Sequence, residues 1–107
     1  MQQTHASSCA EGVRLEIADA VAVVTIDRPE VRNAIGFATI LELGKALDEI
    51  LASDAAVVVL RGAGDRVFVS GGDLKELTSV RTYEDAVRMA SRARQLLDRV
   101  AAFPIPV

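Results

Sequence analysis

"RVFVSGGDLKEL", residues 66–77, is the stretch on which the reading of the chain turns. An apolar run ends in Ser70-Gly71-Gly72-Asp73 and gives way to a segment of helical character. Two adjacent glycines forgo side-chain contacts and carry a large entropic cost. They belong where the backbone turns sharply, takes positive φ or comes close to something else. Asp73 stands where a helix wants its N-cap. The stretch therefore reads as strand, tight turn and helix start. Its plain meaning is a glycine turn capped by Asp73. Its functional meaning is an anion or oxyanion site made of backbone N–H groups, with Gly72 letting a ligand approach without a Cβ in the way.

The 107 residues suffice for one small domain with a core and are too few for two. Half of them are apolar and a quarter charged, the balance of a soluble globular protein. A net charge of −3 with no basic face argues against a nucleic-acid partner. Apolar runs such as Ala20 to Ile26 are far too short to cross a membrane. The polar opening "MQQTHASSCAEG" has no apolar signal core, so no membrane partner and a cytoplasmic location are expected, with residues 1–12 as a flexible leader. The single cysteine, Cys9, and the single histidine, His5, both fall in that leader. A Cys/His nucleophile, a zinc site and a Ser-His-Asp triad are all disfavoured.

Val13 to Ile17 alternates apolar and polar residues, and "VAVVTI", Val21 to Ile26, is apolar on both faces. This predicts a hairpin whose second strand is buried on both sides. Pro29 ends that strand and opens a polar loop to Ala34. Phe37 to Ala52 carries Ile40, Leu41, Leu43, Leu47, Ile50 and Leu51 at helical spacing, with Gly44 suggesting a close helix–sheet approach. Ala56 to Leu60 reads as a buried strand and Val67 to Val69 as another extended piece. Asp73 to Leu77 makes a short helix. A longer helix starts at a capping-box-like Thr82-Tyr-Glu-Asp85 and runs to about Ala102, with Ala86, Val87, Ala90, Leu97 and Val100 on one face. The predicted order is β-β-α-β-β-α-α, in the α/β class. The chain ends on "FPIPV", which looks like the first residues of a buried strand and suggests a chain cut short.

Gly62-Ala-Gly64 follows a strand but lacks the third glycine of a dinucleotide fingerprint, since Val67 stands there and extended residues follow; it reads as a turn. In the loop from Arg28 to Ala34, Arg32 is the best candidate for a phosphate contact, against a plainly solvated loop. Glu76 could be a general acid or base, but beside Lys75 on a short helix it reads more naturally as a solvated carboxylate.

Taken together, "VVTIDRPEVRNAI", the helix, "AVVVLRGAGDRVFVSGGDLKEL" and "FPIPV" resemble, in order and spacing, the N-terminal part of the enoyl-CoA hydratase/isomerase (crotonase) superfamily. The resemblance spans 13–107, nearly the whole chain. It implies a crotonase-like spiral core of ββα units, truncated here on the C-terminal side, and homo-trimers or hexamers. It implies an acyl-CoA thioester as substrate, with no separate cofactor and no metal. Two backbone N–H groups stabilise an enolate-like thioester oxygen in that family. Gly72 matches the first donor, and Ser70, Gly71, Asp73, Leu74 and Lys75 match the surrounding acyl-CoA contact segment. Arg32 and Ala34 match the loop over the nucleotide end of CoA. Many members carry alanine where Gly72 stands. The family's second donor and catalytic carboxylates follow the "PIPV" strand, so the 107-residue chain alone is expected to be inactive as a lyase or isomerase. Two readings stay open. One is part of a crotonase-family enzyme; the other is a truncated, non-catalytic acyl-CoA-binding or protein-interaction module.

Overall fold

A computed structural model of the chain describes His5, Ala6 and residues 12–107. Four strands form one sheet in chain order: β1 (His5–Ala6), β2 (Val13–Ala18), β3 (Val21–Ile26) and β4 (Val57–Gly62). β1 pairs antiparallel with β2, β2 antiparallel with β3, and β3 parallel with β4. Helix α1 (Phe37–Leu51) makes the crossover that the parallel pair requires. A short α2 (Leu74–Leu77) and a long α3 (Tyr83–Ala101) follow. The expected flexible leader lies outside the described residues except for His5, Ala6 and Gly12, and Cys9 lies outside them as well.

The hairpin forms, but β3 is fully buried on one face only, since Val21 and Val23 on the other face are half-buried. Val13 and Leu15 point inward from β2, while Ala22, Val24, Thr25 and Ile26 of β3 are all buried. The stripe of α1 that covers them is Leu43, Ala46, Leu47 and Ile50, and Val58 of β4 completes the cluster. Leu41 and Leu51, expected in that stripe, are about half exposed.

Other expectations are corrected too: β4, expected as a buried strand, buries only Val58, and its Val59 is exposed. Val67 to Val69 is not a strand. The chain doubles back on the end of β4 so tightly that a Cβ on Gly62 would collide with the backbone of Val67 and Phe68. The Val67 carbonyl takes its hydrogen bond from a side chain, not from a ladder. Gly44 does not mark a helix–sheet approach. Its carbonyl accepts from the Arg99 guanidinium of α3 at 3.1 Å. Finally, the side of α3 that meets the rest of the protein shares only Val100 with the expected stripe. Leu97 and Val87 are exposed, and the half-buried side carries Met89, Arg92, Ala93, Leu96, Arg99 and Val100. Arg92 stacks over the Phe37 ring at 4.2 Å, and Arg99 reaches Asp48 at 2.5 Å. Arginine stems cover apolar surface while their heads bind polar groups, so a stripe drawn from apolar residues alone misses this face.

At the end of the chain, Phe103 and Ile105 rest on the core, and the Pro106 carbonyl accepts from the Val58 N–H at 2.8 Å. The segment lies beside the free edge of β4 without forming a ladder there.

The β2–β3 turn places Asp19 at φ 55° and Ala20 at φ 65°, both left-handed. A two-residue hairpin turn of the I′ type needs positive φ at both positions, and alanine is a poor choice for the second. Ala20→Gly is expected to raise stability by about 0.5–1 kcal/mol, the relief of strain minus the added freedom of the unfolded chain. A urea midpoint that falls instead would show that the turn is not strained.

Candidate functional site

The site begins where β3 ends. Pro29–Val31 forms a single 3₁₀ turn, and Arg32 and Asn33 then take left-handed φ values of 55° and 59°. Asparagine tolerates that conformation better than most residues. Asn33 is also buried at 3% exposure and uses its whole amide. Its oxygen accepts from the Arg28 N–H at 2.8 Å, and its nitrogen donates to the carbonyls of Ala63 (3.2 Å) and Val67 (3.0 Å). The loop after β3 is thereby stitched to the loop after β4.

Arg28 carries the next connection. Its guanidinium donates to the Ala34 carbonyl at 2.5 Å and to the Asp73 carboxylate at 3.1 Å. Asp73 is itself buried, and its other oxygen caps α2 by accepting from the Lys75 N–H at 2.9 Å. The Arg28 hydrogen bond above all, helped by the Lys75 and Glu76 amides, holds the Asp73 carboxyl below the usual carboxylate range, against the upward push of burial.

Between these anchors lies the double glycine. Ile35 and Gly72 form an isolated parallel bridge: the Ile35 N–H donates to the Gly71 carbonyl (2.8 Å) and the Asp73 N–H to the Ile35 carbonyl (3.0 Å). In such a bridge the middle residue turns its own N–H away from the partner. Among the described residues nothing accepts from the Gly72 N–H. The two glycines differ. Gly71 sits at φ 132°, which L side chains rarely adopt. Gly72 is not in that region, and a Cβ there would meet only the Leu77 Cδ1, at 3.8 Å.

Gly71, Gly72 and Asp73 line one wall of an open cleft of about 650 Å³ between the start of α1, the turn, α2 and α3. The remaining walls are mostly apolar: Ile35, Phe37, Ile40, Val69, Leu77, Met89, Ala90, Ala93, Leu96 and Leu97. Glu76 also faces the cleft. It is not the freely solvated carboxylate that the sequence suggests, because it accepts from the Phe37 N–H at the start of α1 at 2.7 and 3.0 Å. That bond satisfies one of the orphan donors of a helix end.

Of the sequence-predicted site residues, Gly71, Gly72 and Asp73 share the cleft wall, while Arg32, Ala34, Ser70, Leu74 and Lys75 do not line it. Ala34 is buried and takes part through its carbonyl. Ser70 donates to the Val31 carbonyl at 3.3 Å, joining the two loops from outside. Leu74 and Lys75 are exposed on α2, and the Arg32 side chain is exposed with no ion pair among the described residues. Sequence reasoning passed over Arg28, Asn33 and Gly36. A polar residue between a proline loop and an apolar run gives no sign of whether it is solvated or buried. Only the left-handed preference of asparagine could have flagged Asn33.

A carboxyl held below its unfolded value stabilises the fold above that value, about 3.9 for Asp. The contribution is lost as pH falls through the lower, folded value. Stability is therefore expected to fall as the pH drops below about 4. Part of that loss should be missing in Asp73→Asn, which has no charge to titrate. Urea midpoints of both proteins from mild acid downward check this; parallel curves would show that Asp73 is not linked to folding.

The family model described as "Enoyl-CoA hydratase/isomerase" matches residues 16–107. A probable enoyl-CoA hydratase of Bacillus subtilis is 37% identical over 97 residues, which is 89% of this chain and 36% of the relative. A short-chain-enoyl-CoA hydratase of Clostridium acetobutylicum is 41% identical over 73 residues, 67% of this chain and 28% of the relative. Among solved structures, an enoyl-CoA hydratase/carnithine racemase of Magnetospirillum magneticum superposes with a TM-score of 0.85 at 35% identity, covering 95% of this chain and 38% of that one. The chain thus spans 28% to 38% of the length of these proteins, and its α/β architecture is the crotonase fold in part. The chain belongs to the enoyl-CoA hydratase/isomerase family.

Proposed function

We propose that the chain is the acyl-CoA-binding portion of an enoyl-CoA hydratase/isomerase-family enzyme, with the Gly72 N–H as one donor to the thioester oxygen. The observation that carries this reading is an unpaired N–H, held between two anchored neighbours on the wall of a mostly apolar cleft. A thioester oxygen gains negative charge when its α-carbon loses a proton or its conjugated double bond takes a nucleophile. A donor fixed beforehand in an apolar site stabilises that charge without reorganisation, and one such donor typically contributes about 10²–10³ in rate. Arg32, exposed and without an ion pair among the described residues, is suited to a phosphate of CoA, and Ser70, Leu74 and Lys75, also exposed, are the other proposed acyl-CoA contacts.

Two carboxylates face the cleft, Asp73 and Glu76. One is tied to Arg28 and the Lys75 amide, the other to the start of α1. Both are engaged by the chain's own donors, and these 107 residues on their own are expected to bind and not to hydrate. That favours, for the chain by itself, the alternative of an acyl-CoA-binding module. The second donor and the acid/base groups of a family enzyme would come from other residues. A cytoplasmic location and assembly into trimers or hexamers belong to the same proposal.

Two variants test the donor. Gly72→Ala keeps the N–H and is expected to fold with a nearly unchanged melting temperature, because its Cβ meets only an ordinary contact. Gly72→Pro removes the N–H. It is expected to weaken crotonyl-CoA relative to free CoA by about tenfold, the worth of roughly one hydrogen bond. Within an active enzyme it should cost at least about 10²–10³ in turnover. Calorimetric titration and thermal melts on both variants are the measurement. An unfolded Gly72→Ala, or a Gly72→Pro with unaltered crotonyl-CoA preference, would refute the assignment.

A further inference from the structure

Glu76 makes a contact that packing alone does not call for. It lies on α2, three residues beyond Asp73, and its carboxylate reaches across to accept the first amide of α1, 39 residues away in sequence. Gly36 is the socket for that carboxylate. A Cβ there would collide with Glu76 Oε2, and the next nearest atom is Glu76 Cδ, at 3.1 Å. Gly36 does not need to be glycine for its conformation, since its φ is −103°. It needs the room. Its own N–H is already taken by Thr39 Oγ1 at 3.3 Å.

The turn that carries Gly72 is anchored on the side of the β3 loop by the Ile35 bridge and by Arg28 on Asp73. The Asp73 cap ties only the first residues of α2 to that anchor, and the bond from Glu76 is the one that joins the helix itself to α1. We propose that Glu76 is a positioning residue: seated in the Gly36 socket, it pins α2 to the start of α1. It thereby holds the Gly71–Asp73 turn in the geometry that presents the Gly72 N–H to an acyl thioester. The ligand part of this inference rests on the acyl-CoA reading above; the latch itself does not.

Glu76→Ala, Glu76→Gln, Gly36→Ala and the double variant Gly36→Ala/Glu76→Ala separate the possibilities. Gly36→Ala displaces only the flexible end of one side chain, so it folds while unseating the latch. In the free chain, Glu76→Ala and Gly36→Ala are each expected to speed hydrogen exchange of the Phe37 amide by about tenfold and to shift the Gly72 amide resonance. Both are expected to weaken crotonyl-CoA by about tenfold and to leave free CoA unchanged. Glu76→Gln keeps an acceptor oxygen and is expected to restore most of both signals. The double variant should be no worse than either single one, because both remove the same contact. The proposal is overturned if Glu76→Gln is as damaging as Glu76→Ala, since a titrating carboxylate would then be the active feature. It is overturned equally if Gly36→Ala leaves the Phe37 amide protected, or if the two losses add. Should the wild-type chain not prefer crotonyl-CoA over CoA, the acyl-CoA reading fails, and the latch is decided by the Phe37 and Gly72 amides alone.

Discussion

The site depends on one buried amide. Asn33 answers the Arg28 amide on one side and two carbonyls of the 63–67 segment on the other. Those carbonyls have no ladder to join, because Gly62 ends β4 and the chain folds back against it. Half-buried carbonyls left without partners carry part of the cost of about 1–3 kcal/mol of a buried one, so the amide favours this loop arrangement. With Asn33 in place, Arg28 is held where its guanidinium meets Asp73, and Asp73 is held where it caps α2. A buried ion pair of this kind is weak grounds for claiming stability, since desolvation offsets much of its attraction. Its effect here is geometric. It joins two loops 45 residues apart and so places the double glycine.

The same bonds explain why the cleft can be apolar and still present a polar group. Most of the polar atoms near the turn are spent on each other: Ser70 on Val31, Asp73 on Arg28 and Lys75, Glu76 on Phe37. Among the N–H groups that stay unspent on the wall is that of Gly72. An unspent donor among apolar side chains gains effect on a ligand oxygen once a bound ligand displaces the water, because the local dielectric then falls. The negative charge of Glu76 would oppose an oxyanion if it stood free in the cleft. Bound to the start of α1 it is directed at the positive end of that helix.

Much of the fold was legible. Period-2 alternation in β2, the β-branched run of β3, the stripe of α1 and the Asp73 and Thr82 caps each follow from local chemistry, and each appears in the structure. What was not legible depends on long-range partners. Val67 to Val69 has strand composition, but Asn33 takes the Val67 carbonyl and no strand forms. The inner side of α3 is read wrongly from apolar residues because Arg92 and Arg99 do the docking. Arg28 and Arg32 are equivalent as letters in a polar loop. One is tied down by Ala34 and Asp73, while the other is exposed. The turn itself was found from its glycines, because few other residue pairs carry so local a conformational signature.

The two glycines nevertheless answer to different constraints, and this bears on how the family's motif is to be read in this chain. Gly71 is glycine for the backbone: at φ 132° the penalty falls on any Cβ, although space around it is open. Gly72 has an ordinary backbone and ordinary room for a methyl group, so neither strain nor crowding selects glycine there. Only a demand from outside the polypeptide, such as a ligand approaching the N–H, would act on that position. Even that demand concerns the backbone, which alanine supplies equally. An alanine at the second position and a glycine at the first are therefore compatible with one site geometry, whereas the reverse order is not.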